Sequence, residues 1–246
     1  MTGIDLPDSL VRTMRNARGL IALTGAGVSA ESGVPTFREA QTGLWELYDP
    51  MDLATPEAFE RDPQLVWEWY EWRRRLVGTA EPHASHRALV ELEDRLPNFS
   101  LVTQNVDGLH QRAGSRNVIE LHGNITRSIC SVERTTVDPG ITELAPPPCP
   151  QCGASLRPDV VWFGEALPAT AILDATEAAR SCDILFSIGT SSLVQPAASL
   201  PEAATRAGAI VVEINPEETP LSSRADYVLR GPAGEVLPAL VSAIYR

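Results

Sequence analysis

Residues 20–39 read LIALTGAGVSAESGVPTFRE, and they constrain the fold more than any other stretch. Residues 20–24 are apolar, partly β-branched and closed by a glycine, the pattern of a short buried strand. Gly25, Ala26 and Gly27 follow at once. Small residues there let the backbone approach a pyrophosphate, and a helix opening behind them is expected to present free N–H groups to it. The third glycine comes late, at Gly33, giving the spacing G-x-G-x-x-x-x-x-G. Pro35, Thr36, Phe37 and Arg38 then break the helix. A hydride-transferring dinucleotide enzyme has no use for such a sequel, so the nucleotide serves some other chemistry.

Further apolar, β-branched runs at 99–105, 118–121, 183–189 and 210–214 read as buried strands. Helical patterns lie at 7–18, 84–96, 171–181 and 197–207. This alternation predicts an α/β fold, a Rossmann-like doubly wound parallel sheet with helices on both faces. Thr190, Ser191 and Asn215 directly follow strand ends, where ligands sit in open sheets of this kind. A chain of 246 residues accommodates one large domain with a smaller one inserted. No apolar run approaches the ~20 residues that span a bilayer. The N-terminal residues lack the basic and apolar regions of a secretory signal. The expectation is a cytoplasmic protein, a monomer, with no membrane partner. The formal charge of −12 repels nucleic-acid backbones, so no nucleic-acid partner is expected. Such a surface favours basic, lysine-rich segments, unless it serves solubility alone.

Two stretches break the alternation. Residues 37–98 are helix-rich and carry all but one of the five tryptophans, and residues 125–158 read as loop. The expected division is therefore a Rossmann-like dinucleotide-binding domain from 1–36, 99–124 and 159–246. A helical module, 37–98, and a zinc-ribbon-like module, 125–158, form the small domain. In the latter, Cys149-Pro150-Gln151-Cys152-Gly153 is a C-x-x-C knuckle of the type that grips zinc. Cys130 stands where a second pair would begin, but Glu133 occupies its partner position. Tetrahedral zinc accepts a carboxylate, so Cys₃Glu is one reading, and a vestigial site is the other. Cys182, at a helix-to-strand junction, reads as a small buried residue.

Two further motifs carry polar chemistry. In TQNVDGLHQRAG, residues 103–114, Gln104, Asn105 and Asp107 leave a buried strand together, as the donors and acceptors of a carboxamide pocket would. Surface turn residues are the alternative. In ELHGN, residues 120–124, His122 leaves a second strand just before a glycine, and an imidazole of ordinary pKa ~6.5 is a usable general base. A structural strand-end histidine is the plainer reading.

Taken in order, GAGVSAESGVPTFRE, TQNVDGLHQRAG, ELHGN, the cysteine knuckle, RPDVVWFGE (157–165), GTSSLVQPAA (189–198) and EINPE (213–217) resemble the sirtuins, NAD-dependent protein deacylases. The resemblance spans roughly residues 10–245 and points to the bacterial type that removes succinyl and acetyl groups. It implies that Gly25, Ala26, Gly27, Ser29 and Ala30 hold the NAD, with Phe37 and Arg38 in a loop over it. It assigns Asn105 and Asp107 to nicotinamide and Gln104 to the adjacent ribose. Gly189, Thr190, Ser191 and Asn215 would meet the adenosine half, with Ala233 in the adenine-side loop. Val160, Val161, Trp162, Phe163 and Gly164 would pair with an acyl-lysine peptide or protein as an added strand. His122 would be the catalytic base, and Cys130, Cys149 and Cys152 would ligate a structural zinc.

Residues 63–77 read as a helix with Asp62 as N-cap and Pro63 in its first turn. Tyr70 and Arg73, three apart, share one face of it. The resemblance implies that this pair reads the terminal carboxylate of a succinyl or malonyl group, through bidentate and charge-assisted bonds. A surface helix with Glu71 paired to Arg75 is the alternative. Two rivals to deacylation stay open at this point: an NAD-dependent mono-ADP-ribosyltransferase and a non-catalytic NAD-sensing protein.

Overall fold

The computed structural model describes residues 4–34, 49–140 and 143–245. Its strands are β1 (Gly19–Thr24), β2 (Asn98–Thr103), β3 (Val118–Glu120), β4 (Gly123–Cys130), β5 (Leu156–Val160), β6 (Ile184–Ile188), β7 (Ile210–Ile214) and β8 (Tyr227–Leu229). Its helices are α1 (Asp8–Asn16), α2 (Ala26–Ala30), α3 (Pro50–Leu53), α4 (Pro56–Arg61), α5 (Pro63–Thr79), α6 (Ala84–Arg95), α7 (Leu109–Ala113), α8 (Ala169–Ser181), α9 (Leu200–Arg206) and α10 (Ala233–Tyr245). None of the described helices is long and apolar enough to cross a membrane.

Among the described residues, six strands form one parallel sheet in the order β3-β2-β1-β6-β7-β8. Strand order reverses between β1 and β6, which opens a crevice at their carboxyl ends. Alternation along each strand separates two apolar layers. Leu20, Ala22, Phe186 and Val212 pack with α1, α6 and α10 on one face. Ile21, Leu23, Leu185 and Val211 pack with α8 and α9 on the other. The predicted doubly wound sheet is the one observed.

The helix α6 packs into the first of these layers through Ala88, Leu89 and Leu92. It therefore covers the large sheet, although the sequence reading put residues 37–98 in the helical module. A smaller apolar cluster joins α3, α4 and α5 to Ile125 and Trp162. Its long helix α5 starts as expected, with the Asp62 carboxylate accepting the Leu65 N–H at 3.0 Å.

Residues 125–158 are not simply loop. They contain most of an antiparallel pair, β4 with β5, whose ends reach 123 and 160. The pattern is hidden because β5 carries Pro158 and the register shifts between Asn124 and Ser128. Arg74 fastens α5 to β4 through the carbonyls of Ile125 and Arg127. Glu71 pairs with this same Arg74, not with Arg75.

Candidate active site

Register across the sheet brings the strand ends into one row. Thr24 pairs with both Thr103 and Ile188, Thr103 with Glu120, and Ile188 with Ile214. Gly25, Gln104, Gly189 and Asn215 are the next residues along, and His122 follows β3 by two. Each predicted polar residue of these strands thus leaves the sheet at its carboxyl edge, around the crevice.

Two glycine turns meet at the centre of that row. The Gly27 N–H donates to the Gly189 carbonyl at 2.9 Å, and the Gly25 N–H to the Ile188 carbonyl at 3.0 Å. A Cβ on Gly27 would lie 2.8 Å from the Gly189 Cα, and Gly189 itself has φ +59°. Only glycine tolerates both conditions. The expectation of free N–H groups behind the glycines needs correction here, because the Gly27 and Val28 amides are engaged within the chain. Beside this contact lies a cleft of about 470 Å³. Gly27, Ala30, Thr190, Ser191, Asn215 and Ala233 are among the residues that line it. Ala26 opens α2 beneath it. Ala233 starts α10 and is buried, not in a loop as expected. A cradle of glycine backbone with a roomy cleft suits a dinucleotide.

On the other side of Gly25, three side chains are locked together. Ser29 donates to the Asp107 carboxylate at 2.6 Å and accepts from the Asn105 amide at 3.0 Å. That same amide also donates to the Gly25 carbonyl at 2.9 Å. Asp107 accepts the Leu109 N–H at 2.8 Å and is 4% exposed. Burial raises its pKa against these bonds, which pull the other way. With both amide hydrogens of Asn105 engaged, the group it offers to a ligand is its carbonyl oxygen.

His122 is half-buried, and its Nδ1–H donates to the Gln104 carbonyl at 2.9 Å. This bond fixes the tautomer and leaves Nε2 as the basic atom. Burial lowers its pKa below the ordinary imidazole value, opposed by the Gln104 bond. The carbonyl of His122 accepts the Val161 N–H at 3.0 Å, so the segment 160–164 starts against the histidine. Trp162 donates its N–H to Glu165 and Phe163 donates its own to the Ala54 carbonyl. Those donors serve the fold, as do the Val160 carbonyl, which accepts from Arg157, and the Trp162 carbonyl, which accepts the Glu165 N–H. The indole Nε1–H of Trp162 donates to the Tyr70 hydroxyl at 3.0 Å. The Arg157 guanidinium lies 3.3 Å from the centre of the Trp162 ring and forms two hydrogen bonds to Glu165. Tyr70 and Arg73 are both buried on α5, Arg73 lying 5.0 Å from the Trp69 ring centre.

The Sγ atoms of Cys130, Cys149 and Cys152 lie within 4.8 Å of one another. Three soft sulfurs suit zinc, and the cluster can hold that ion. Cys130 and Cys149 are buried while Cys152 is exposed. Among the described residues no carboxylate joins the group. Glu133 contributes its backbone N–H to the Cys130 sulfur at 3.3 Å, and its side chain is exposed. The Cys₃Glu reading is therefore not the arrangement found. Cys182 is half-buried, and burial pushes its thiol up to about 11, which leaves it inert.

The sequence model of the Sir2 family matches residues 25–196. The chain belongs to the Sir2 family. A relative named NAD-dependent protein deacylase, from Methylococcus capsulatus, is 50% identical over 252 aligned residues covering 99% of each chain. Another of that name, from Aquifex aeolicus, is 54% identical over 84% of this chain and 87% of its own. A solved structure described as a Sir2 homolog–NAD complex superposes with TM-score 0.90 and 47% identity, covering 99% and 96% of the two chains. One described as Sir2 bound to acetylated peptide reaches 0.85 at 28% identity, covering 95% and 96%.

In this Sir2 chain, Phe37 and Arg38 lie outside the described residues. Three groups escaped the sequence reading. Glu31 accepts the Gly234 N–H at 2.9 Å, which holds α10 to α2. Arg157 and Glu165 brace the Trp162 segment. Three of the four histidines, His83, His86 and His110, stack behind the glycine turn with ring centres 4.7 and 4.9 Å apart. His83 Nε2–H donates to the Val28 carbonyl, and His110 Nε2 lies 3.0 Å from the Thr24 hydroxyl. The only sequence signal for this stack was H-x-x-H at 83–86. Ser29 is the hub whose loss this Sir2 site should feel most locally. Ser29→Ala removes one bond from a buried carboxylate, so chemical denaturation should show a loss of about 1–3 kcal/mol. An unchanged unfolding midpoint would mean that Asp107 finds another donor.

Proposed function

We propose that this chain is an NAD-dependent protein-lysine deacylase, releasing nicotinamide and an O-acyl-ADP-ribose. The observation that carries the reading is His122, held by Gln104 with Nε2 as its base, between the Asn105/Asp107 network and the 160–164 segment. The dinucleotide supplies one thing, a nicotinamide–ribose bond whose cleavage leaves a sugar able to take the acyl group. The chain supplies the rest. Asn105 and Asp107 would orient the nicotinamide carboxamide, and Gln104 would serve the adjoining ribose. The glycine turn and the cleft reaching Asn215 and Ala233 hold the remaining half. The segment 160–164 aligns a peptide so that its acyl-lysine enters between Trp162 and His122. His122 Nε2 takes a proton from a ribose hydroxyl. No protein nucleophile is required.

The acyl group we assign is an acidic one, succinyl or malonyl, with acetyl also accepted. The Tyr70 hydroxyl accepts from Trp162, so its own proton is available to an incoming carboxylate. Burial is the main cause that pushes its pKa up to about 12, keeping it protonated. Arg73 supplies the positive charge on the same helix face. Substrates would be acyl-lysines on the basic protein segments that an acidic surface attracts.

The deciding experiment incubates the chain with NAD and a panel of acyl-lysine peptides, with mass spectrometry of all products. Free lysine peptide and O-acyl-ADP-ribose are expected; ADP-ribose attached to protein would replace the reading by a transferase one. For Arg73, exchange to Met should lower kcat/KM on succinyl-lysine by about 1.5–3 kcal/mol, tenfold or more. Acetyl-lysine should change far less. Equal loss on both peptides would make Arg73 a packing residue only.

A further inference from the structure

The cysteine site is built from two turns of one design. In the first, the Cys130 N–H donates to the Thr135 carbonyl, the Arg134 N–H donates to the Cys130 carbonyl, and Arg134 has φ +56°. In the second, the Cys149 N–H donates to the Ala154 carbonyl, the Gly153 N–H to the Cys149 carbonyl, and Gly153 has φ +78°. Residue for residue, Glu133 is the counterpart of Cys152. The Cβ of Glu133 thus belongs where a fourth sulfur would need it, one bond short of a metal ligand.

A glutamate cannot use that position well. A cysteine sulfur sits one bond beyond Cβ, whereas the carboxylate oxygens sit three bonds beyond it and overshoot. The side chain of Glu133 is exposed and no carboxylate enters the sulfur cluster. The cluster meanwhile reaches solvent through the exposed Cys152. Tetrahedral zinc on three thiolates keeps a fourth position, which water or an added ligand fills.

We infer that the metal site of this chain is a three-thiolate site with an open fourth position that takes an exogenous small thiol. The incoming thiol gives its proton to solvent as its sulfur binds the metal in place of water. Soft ligands are the class such an ion prefers. This inference goes beyond deacylation and does not depend on it, since it concerns coordination alone.

The test uses the full chain, stripped of metal and refilled with cobalt(II), whose sulfur-to-metal absorption reports the thiolate count. One cobalt per chain is expected. Addition of 2-mercaptoethanol should raise that absorption by about a third, one thiolate added to three, in wild type and in Glu133→Ala. Glu133→Cys should begin at the higher value and not respond. A response in Glu133→Ala but none in wild type would make Glu133 the fourth ligand and overturn the inference. Absence of response in both, loss of the band on thiol addition, or failure to bind cobalt would overturn it equally.

Discussion

Changing His122 to alanine should remove nearly all deacylation while leaving dinucleotide binding intact. A well-placed general base contributes about 10²–10⁴-fold. The ring is oriented by one bond from Nδ1 to the Gln104 carbonyl, so a glutamine at 122 would not restore the basic atom. The pH dependence follows from burial. A base works in its neutral form, and burial lowers the His122 pKa below the ordinary value near 6.5. Rate should therefore persist into mildly acid solution and fall only as pH drops through that lowered pKa. A steady-state profile of kcat/KM for wild type, with calorimetric NAD binding for the alanine variant, checks both parts. Near-normal turnover in the variant would take His122 out of the role.

Acid should unfold this protein through two other histidines. His86 is held down to about 3 by burial first, then by His110, His83 and Arg87, and His110 to about 3 by burial, then by His83. His86 Nδ1 accepts the His83 N–H at 3.3 Å, so an added proton on that ring would break this bond, and His110 Nδ1 has no partner among the described residues to accept one. In the unfolded chain both recover a pKa near 6.5 and bind protons that the fold refuses. Their stabilising effect is complete above about 6.5 and is lost as pH falls from there toward 3. Each histidine costs about 1.4 kcal/mol per pH unit across that window, so the pair should remove about 4 kcal/mol between pH 7 and 5. That is a large part of an ordinary domain's stability. Urea unfolding at the two pH values measures it, and His86→Gln should roughly halve the slope. A flat profile would mean that the folded stack takes up protons as readily as the unfolded chain does.

Much of the large sheet was legible because its strands are buried on both faces. Runs such as DILFSI and IVVEI read as buried strands, and the glycine or asparagine directly after them marks the carboxyl edge. The pair β4–β5 was not legible, since a proline inside β5 and a register shift in β4 erase the two-residue period. The place of α6 was lost for another reason. A helix states which face is apolar, not which layer that face meets, and Ala88, Leu89 and Leu92 meet the large sheet. Within the site, residue types at strand ends could be read, but hydrogen-bond partners could not. Ser29 gives no hint in sequence that it joins Asn105 to Asp107, both of which lie far from it along the chain. Glu133 was chemically plausible as a ligand, and only the turn geometry tells that its carboxylate overshoots.

Strand β5 links the sulfur cluster to the Trp162 segment. Near one end Leu156 pairs with Cys130, and the next residue, Arg157, stacks on Trp162 and grips Glu165. Damage at the sulfurs should thus reach the indole, and Tyr70 beyond it, through a single residue step, whereas the glycine turns of the large sheet are anchored elsewhere. The molecule consequently has two separate breaking points: fraying of this strand pair should loosen the Trp162–Tyr70 contact while the glycine turns still stand.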